Sequence, residues 1–294
     1  PDPDPDPKPN PNSGTLIAAN TTLETLNLSN TGLGHAIGNP DPNPNPNPNP
    51  NTGLGHAIGA EGEGGHILLK PLCESNDSPL RELNRWLATV DHPLHFVPTM
   101  GGLHRGHAQL IRSAAASQNA SVLVSIFVNP LQFGAGEDLD RYPRTLTEDV
   151  DLADRNGAVA VWAPDVSSIY PNGADELHRL RVPSSLQHSL CGASRPGHFD
   201  GVATVVARLL GMVQPDVLFL GEKDWQQLVI LRRMVMDLGF RVSVQGVATV
   251  READGLACSS RNQYLSASER ERASALPRLL RSSDGEPEQL AAAL

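Results

Sequence analysis

One stretch, running from Leu94 to Ala114, constrains the fold more than any other. The apolar run Leu94 to Val97 reads as a buried strand. A glycine-rich turn follows, Met100-Gly101-Gly102-Leu103, and then two histidines three residues apart, His104 and His107. Ala108 to Ala114 has helical spacing and good helix formers. Strand, glycine turn and helix in that order are how a parallel α/β sheet presents a helix N-terminus to a phosphate. Gly101 and Gly102 let the backbone approach closely, and Gly106 leaves room for His107 at the helix start. Two imidazoles placed there can donate hydrogen bonds as charge builds on a phosphate. Alone, the motif leaves three possibilities open: two polar loop residues, part of a metal site, or a nucleotidyl-transfer site. No Glu or Cys stands nearby at a zinc-ligand spacing, which disfavours the metal.

The rest of the chain repeats the strand–helix rhythm. Ile67-Leu68-Leu69 is a candidate strand, and Leu80, Leu83, Trp86 and Leu87 recur at helical spacing. Ser121 to Val128 is a β-branched run suited to burial on both faces. Leu131 to Tyr142 reads as a loop with two glycines and several acids. Thr145 to Asn156 is expected to be a helix, with Thr145 and Glu148 forming a capping box. Ala158 to Trp162, Asp216 to Leu220 and Arg241 to Val247 are further strands. Phe199 to Val213 and Trp225 to Leu238 are helices, and another begins near Ser266. This alternation implies βαβ units and a mainly parallel sheet. Three polar clusters fall at strand ends, where such sheets bind ligands: the His-x-x-His turn, Asn129 to Gln132, and Gly221 to Asp224.

Residues 1–65 differ in kind. Proline alternates with Asp or Asn in two runs, Pro1 to Pro7 and Asn43 to Pro50, which blocks helix and offers nothing to bury. A duplicated block, Asn30 to Gly38 and Asn51 to Gly59, containing His35 and His56, brackets the second proline run. Two copies are too few for a solenoid. The expected organisation therefore begins with a low-complexity disordered arm over 1–65, and the folded part starts at residue 66.

Acidic residues outnumber basic ones 33 to 23, and no basic stripe appears, which argues against a nucleic-acid partner. Cys73, Cys191 and Cys258 form neither an even disulfide set nor a Cys-x-x-Cys pair, so a reducing cytoplasm fits best. No run is apolar enough to span a bilayer, and no signal peptide is visible, although residue 1 is Pro rather than Met. Lys223, after a strand and a glycine, can meet a phosphate or serve as a surface charge. Gln132 and Gln227 suit hydroxyl or carboxylate recognition. Glu148 and Asp149 can hold Mg²⁺, or simply sit in a helix's first turn. Ser259-Ser260-Arg261-Asn262 suits outer phosphates. Ser194-Arg195-Pro196-Gly197-His198 is a second basic loop able to face an anion, with His198 equally suited to packing.

Six segments together resemble the pantothenate synthetase (pantoate–β-alanine ligase) family: Pro98 to His107, Phe127 to Phe133, Arg141 to Thr145, Gly197 to Gly201, Gly221 to Gln227 and Ser259 to Asn262. The resemblance runs in order from about Ser78 to Leu294. It implies a Rossmann-like nucleotidyltransferase domain of the HIGH superfamily type over 66–249, binding ATP and pantoate, with a small C-terminal lid over 250–294, here cut short. It implies ATP-dependent adenylation of (R)-pantoate, then attack by β-alanine, with Mg²⁺ required and a homodimer as the usual assembly. By the same resemblance Met100, Gly101, Gly102, Leu103, His104, Arg105, Gly106 and His107 line the ATP, with His107 as proton donor. Gly221, Glu222, Lys223 and Asp224 hold nucleotide from the other side. Val250, Cys258, Ser259, Ser260 and Arg261 close over it. His104, Lys223 and Arg261 join His107 in the chemistry. Gln132, Gln227 and Asn129 bind pantoate or β-alanine, and Glu148 and Asp149 sit near the metal. Arg105 stands where the family often has an acid, and Cys258 where it has methionine; neither exchange is expected to matter much. Some family members are fused to a downstream cytidylate kinase. Two other possibilities stand beside the ligase: another His-x-x-His nucleotidyltransferase, or a non-catalytic binder of nucleotide or pantoate.

Overall fold

The four central strands of the sheet alternate their side chains between two separate cores. This is what a parallel sheet covered on both faces requires. In the computed structural model the described residues are 67–69 and 79–282. The arm with His35 and His56, Cys73 and the residues after 282 lie outside them.

The elements follow the expected alternation. They are β1 (Ile67–Leu69), α1 (Pro79–Leu87), β2 (Leu94–Thr99), α2 (Arg105–Ala115), β3 (Ser121–Ile126), α3 (Leu146–Arg155), β4 (Ala160–Trp162), α4 (His198–Val213), β5 (Val217–Gly221), α5 (Trp225–Asp237), β6 (Ser243–Val247) and α6 (Ala267–Ser282). One-turn helices fill the connection between β4 and α4. The six strands lie in the order β1-β4-β3-β2-β5-β6, and every pairing is parallel. The chain winds from β2 outward through β3 to β4, then returns to place β5 on the other side of β2. The order reverses between β2 and β5, so their carboxyl ends open a crevice at the switch point.

Phe96, Leu123, Trp162, Leu218 and Leu220 point to the face covered by α1, α4 and α5. Their neighbours Val97, Val122, Val124, Val161 and Phe219 point to the other face, against Ile111 and Ala114 of α2 and Ala153 of α3. Each such side chain, fully buried, stabilises the fold by about 1.5–3 kcal/mol.

Two boundaries depart from expectation for identifiable reasons. The helix expected from Thr145 starts at Leu146, with Thr145 as its N-cap but without a capping bond from its hydroxyl. That hydroxyl donates instead to the Asp149 carboxylate at 3.2 Å, so the predicted box with Glu148 does not form. The loop after β3 begins with a 3-10 turn, Pro130–Gln132. Gly201 on α4 packs against this turn so closely that a Cβ there would lie 2.2 Å from the Leu131 carbonyl oxygen. Among the described residues no helix is long and apolar enough to cross a membrane.

Candidate active site

The glycine turn after β2 is built by its backbone and locked from below. Gly101 and Gly102 have φ of +84° and +60°, which side-chain-bearing residues rarely adopt. Two successive backbone N–H groups point down onto one carboxylate. Gly102 N donates to Asp149 Oδ2 at 2.9 Å and Leu103 N to Oδ1 at 2.6 Å. Asp149 is 2% exposed. Burial raises its carboxyl above the ordinary value, while the two backbone bonds and Thr145 pull the other way.

Glu148 and Asp149, expected near a metal, have different surroundings. Glu148 faces solvent, whereas Asp149 lies under the turn with both oxygens occupied. Among the described residues no three His, Cys, Asp or Glu side chains cluster as a metal site. Mg²⁺ commonly keeps several waters and binds through substrate phosphates. The residues present do not form a cage for it.

The two histidines cap the helix they begin. His104 is the N-cap of α2, and its Nδ1 accepts from Gly106 N at 3.0 Å. His107 Nδ1 accepts from His104 N at 3.2 Å. The rings lie together, centroids 4.1 Å apart. Two of the helix's orphan N–H groups are thereby satisfied. Because each Nδ1 accepts, each ring carries its proton on Nε2, which makes Nε2–H a hydrogen-bond donor. Burial and the nearby Lys223 lower His104 to about 4. Burial, His104 and Lys223 lower His107 to about 3. Both imidazoles are therefore neutral at pH 7 in the free protein. The proton-donor role expected of His107 takes the form of a neutral N–H, and an arriving anion would shift its affinity for protons upward.

β2 and β5 are adjacent parallel strands, so their carboxyl ends share one crevice, and Lys223 acts electrostatically on both rings. Lys223 lies in a 3-10 turn, Glu222–Asp224, and among the described residues its ammonium group meets Asp224 Oδ1 at 3.4 Å. The segment after β6 closes the third side. Cys258 N donates to Val250 O at 2.9 Å, holding a short hairpin. Ser260 packs where a Cβ on Gly102 would lie 3.3 Å away. Arg261 lies over the Tyr142 ring at 5.5 Å. Arg105 is exposed.

The amides divide into holders and a presenter. Asn129, expected to touch substrate, is 1% exposed and fully engaged. Its Oδ1 accepts from Tyr170 Oη at 2.8 Å and Leu131 N at 3.2 Å. Its Nδ2 donates to Gly201 O at 3.2 Å and Gln132 Oε1 at 3.1 Å. Asn129 therefore orients Gln132, leaving the Gln132 Nε2 donor beside Met100 Sδ at 3.1 Å. Gln227, at the start of α5, is half-buried; its neighbour Gln226 is buried and ties down Leu186 O and Ser189 O. The second basic loop does face an anion, but an internal one. Arg195 is paired with Glu137, and His198 Nδ1 donates to Gln132 O at 2.8 Å. Burial and Arg195 lower His198 to about 4. A cavity of about 250 Å³ adjoins Met100 and Gly101, walled by Ile126, Val128, Pro143 and Leu146. Its apolar walls do not suit a polyphosphate.

Three histidines held neutral by the fold set a pH dependence. Their folded values lie below the unfolded value near 6.5, so the unfolded chain binds more protons between about pH 6.5 and 4. Their contribution is present above pH 6.5 and is lost as pH falls toward 4. The slope is at most about 1.4 kcal/mol per pH unit for each histidine, and less for the partly exposed His104, where water screens. The urea midpoint should fall from pH 7 to pH 5. A midpoint that holds or rises would contradict these shifts.

A parallel sheet whose switch-point crevice carries neutral imidazoles, a lysine and a helix N-terminus defines an α/β fold of the nucleotidyltransferase type. Comparison with known proteins narrows the class. A family model described as pantoate-beta-alanine ligase matches residues 75–293, and this chain belongs to that family. It is 61% identical over 201 residues to the bifunctional pantoate ligase/cytidylate kinase of Prochlorococcus marinus (strain MIT 9313), covering 67% of this chain and 40% of that protein. The bifunctional pantoate ligase/cytidylate kinase of Parasynechococcus marenigrum (strain WH8102) is 62% identical over 204 residues, 69% and 40% of the two chains. The chain thus spans about 40% of the length of the curated relatives it matches. Among solved structures, pantothenate synthetase from Thermus thermophilus aligns with TM-score 0.65 and 51% identity over 69% of this chain and 72% of that one. Pantoate-beta-alanine ligase from Francisella tularensis, complexed with beta-gamma ATP and beta-alanine, aligns with TM-score 0.67 and 35% identity over 74% and 80%.

Proposed function

We propose that this chain condenses (R)-pantoate with β-alanine at the expense of ATP. The pantoate carboxylate attacks the α-phosphorus of ATP, and pyrophosphate leaves. The β-alanine amine then attacks the carbonyl carbon of the pantoyl adenylate. AMP leaves, the amine loses a proton, and pantothenate results. A carboxylate acylates poorly until one oxygen becomes part of a leaving group, and adenylation supplies that.

One observation carries the proposal. Backbone N–H groups occupy both Nδ1 atoms, so His104 and His107 each present a fixed Nε2–H donor at the N-terminus of α2, beside Lys223. Such preorganised donors stabilise charge developing on a phosphate. Arg261 and Ser260 are proposed to hold the outer phosphates, Gly221 to Asp224 the nucleotide, and Gln132 and Gln227 the hydroxy acid. The Francisella relative's ligands, a nucleotide and β-alanine, fit the same assignment. A magnesium-bound nucleotide, a homodimer and a cytoplasmic setting belong to this proposal, as does a nucleotide domain closed by the segment after residue 249.

The test is an assay with ATP, Mg²⁺, pantoate and β-alanine, following AMP and omitting each substrate in turn. The ligase releases AMP only with all components present. A stable nucleotide conjugate in place of AMP would mark another nucleotidyltransferase. Pantoate-dependent pyrophosphate exchange without pantothenate would mark a chain able to perform only the first step.

A further inference from the structure

The loop between Phe133 and Tyr142 carries two adjacent acids, Glu137 and Asp138, and each grips a different arginine. Glu137 accepts from Arg195 Nε at 2.7 Å and Nη2 at 2.5 Å. Asp138 accepts from Arg261 Nε at 2.8 Å and Nη2 at 2.7 Å. The partners lie 58 and 123 residues away in the chain. All four side chains are largely withdrawn from solvent, from 14% exposed at Asp138 to 31% at Arg261. Burial alone would raise both carboxyl groups. The guanidinium hydrogen bonds outweigh it and hold both below the ordinary carboxylate range.

A guanidinium offers five N–H donors in a rigid fork. Each acid takes the Nε–Nη2 edge and leaves the Nη1 end available. In Arg195 the remaining donors turn inward. Nη1 meets His198 Nε2 at 3.0 Å, and Nη2 also donates to Gln132 O at 3.3 Å. His198 Nδ1 donates to that same carbonyl. The backbone of Gln132 is therefore held by a chain that begins at Glu137. In Arg261 the guanidinium lies over Tyr142, whose hydroxyl is 3.3 Å from Ser260 Oγ. Ser260 in turn abuts the glycine turn at Gly102. Asp138 thereby fixes the plane of an arginine at the mouth of the crevice.

The geometry points to Glu137-Asp138 as a two-armed positioning element. Asp138 aims Arg261 at the polyphosphate of the nucleotide. Glu137, through Arg195 and His198, sets Gln132 toward the hydroxy-acid substrate. Neither acid touches a reacting atom. This inference rests on the ligase function proposed above for the identity of the two substrates.

The experiment compares Asp138→Asn and Glu137→Gln in the full chain. Calorimetry reads the Kd of ATP and of pantoate, and the AMP assay reads KM for each substrate. Asp138→Asn should weaken ATP about tenfold and leave pantoate within about twofold; Glu137→Gln should do the reverse. Tenfold is about 1.4 kcal/mol, close to the lower end of the worth of a hydrogen bond to a charged group. In an Arg261→Ala background, Asp138→Asn should have no further effect on ATP. Should either variant lose its circular dichroism, Arg261→Lys and Arg195→Lys keep the charge, lose the fork and make the same comparison. The inference is overturned if both variants shift all constants alike, or shift only the melting temperature. It is equally overturned if Asp138→Asn tightens ATP, because the carboxylate would then be a competitor of the phosphate. If the wild-type chain binds ATP and pantoate yet releases no AMP, the ligase function fails while the binding comparison still decides the role of the two acids.

Discussion

Replacing His107 by Ala should lower the adenylation rate at least tenfold, measured as pantoate-dependent exchange of pyrophosphate into ATP. The ring performs two tasks, and Ala removes both. Its Nε2–H is one of two fixed donors at the N-terminus of α2, and its Nδ1 is the acceptor for His104 N. Lost acid–base or charge-stabilising groups typically cost a factor of about a hundred or more, so tenfold is a lower bound. The His104 ring packs on His107 and should lose order as well. ATP affinity should change less than turnover, because the donor acts on charge that grows during the reaction. His107→Asn is a useful second variant, since its amide can still donate a hydrogen bond. An unaltered exchange rate in His107→Ala would remove this residue from the chemistry.

The second large effect is expected at Asp149, and it separates two roles for a carboxylate. Asp149→Ala leaves Gly102 N, Leu103 N and the Thr145 hydroxyl without their acceptor. A buried donor left unsatisfied costs about 1–3 kcal/mol, so the folded state should lose on the order of 3 kcal/mol. The glycine turn should lose its shape, and activity should fall more than tenfold with it. The loss of stability should appear without nucleotide or metal present, and excess Mg²⁺ should restore neither stability nor activity. A variant with wild-type stability whose activity returns with added Mg²⁺ would return this residue to the metal.

The elements of the fold were legible because their cause is local. Val122, Leu123 and Val124 are apolar in succession, which only a strand covered on both faces accommodates, and the structure buries all three. The His-x-x-His turn was legible because glycines at positive φ and a strand before a helix leave the chain few alternatives. The roles of single polar residues were not. Asn129 and Gln132 sit three apart and look alike in sequence, yet one is sealed among four hydrogen bonds and the other presents its amide. Asp149 resembled a first-turn helix acid or a metal ligand. Its partners lie 46 and 47 residues upstream, out of reach of any local pattern. The two basic loops looked equivalent, and the structure gives each its own internal acid.

By itself the chain of residues determined a parallel α/β sheet, the glycine turn with its two imidazoles, and which strand ends carry polar groups. Each of these follows from periodicity and backbone sterics acting over a few residues. Only the tertiary structure decided which carboxylate bears the turn, which amide faces outward, and which acid holds which arginine. Those outcomes depend on hydrogen bonds between segments far apart in the chain, and burial makes an unpaired polar group too costly to leave without a partner.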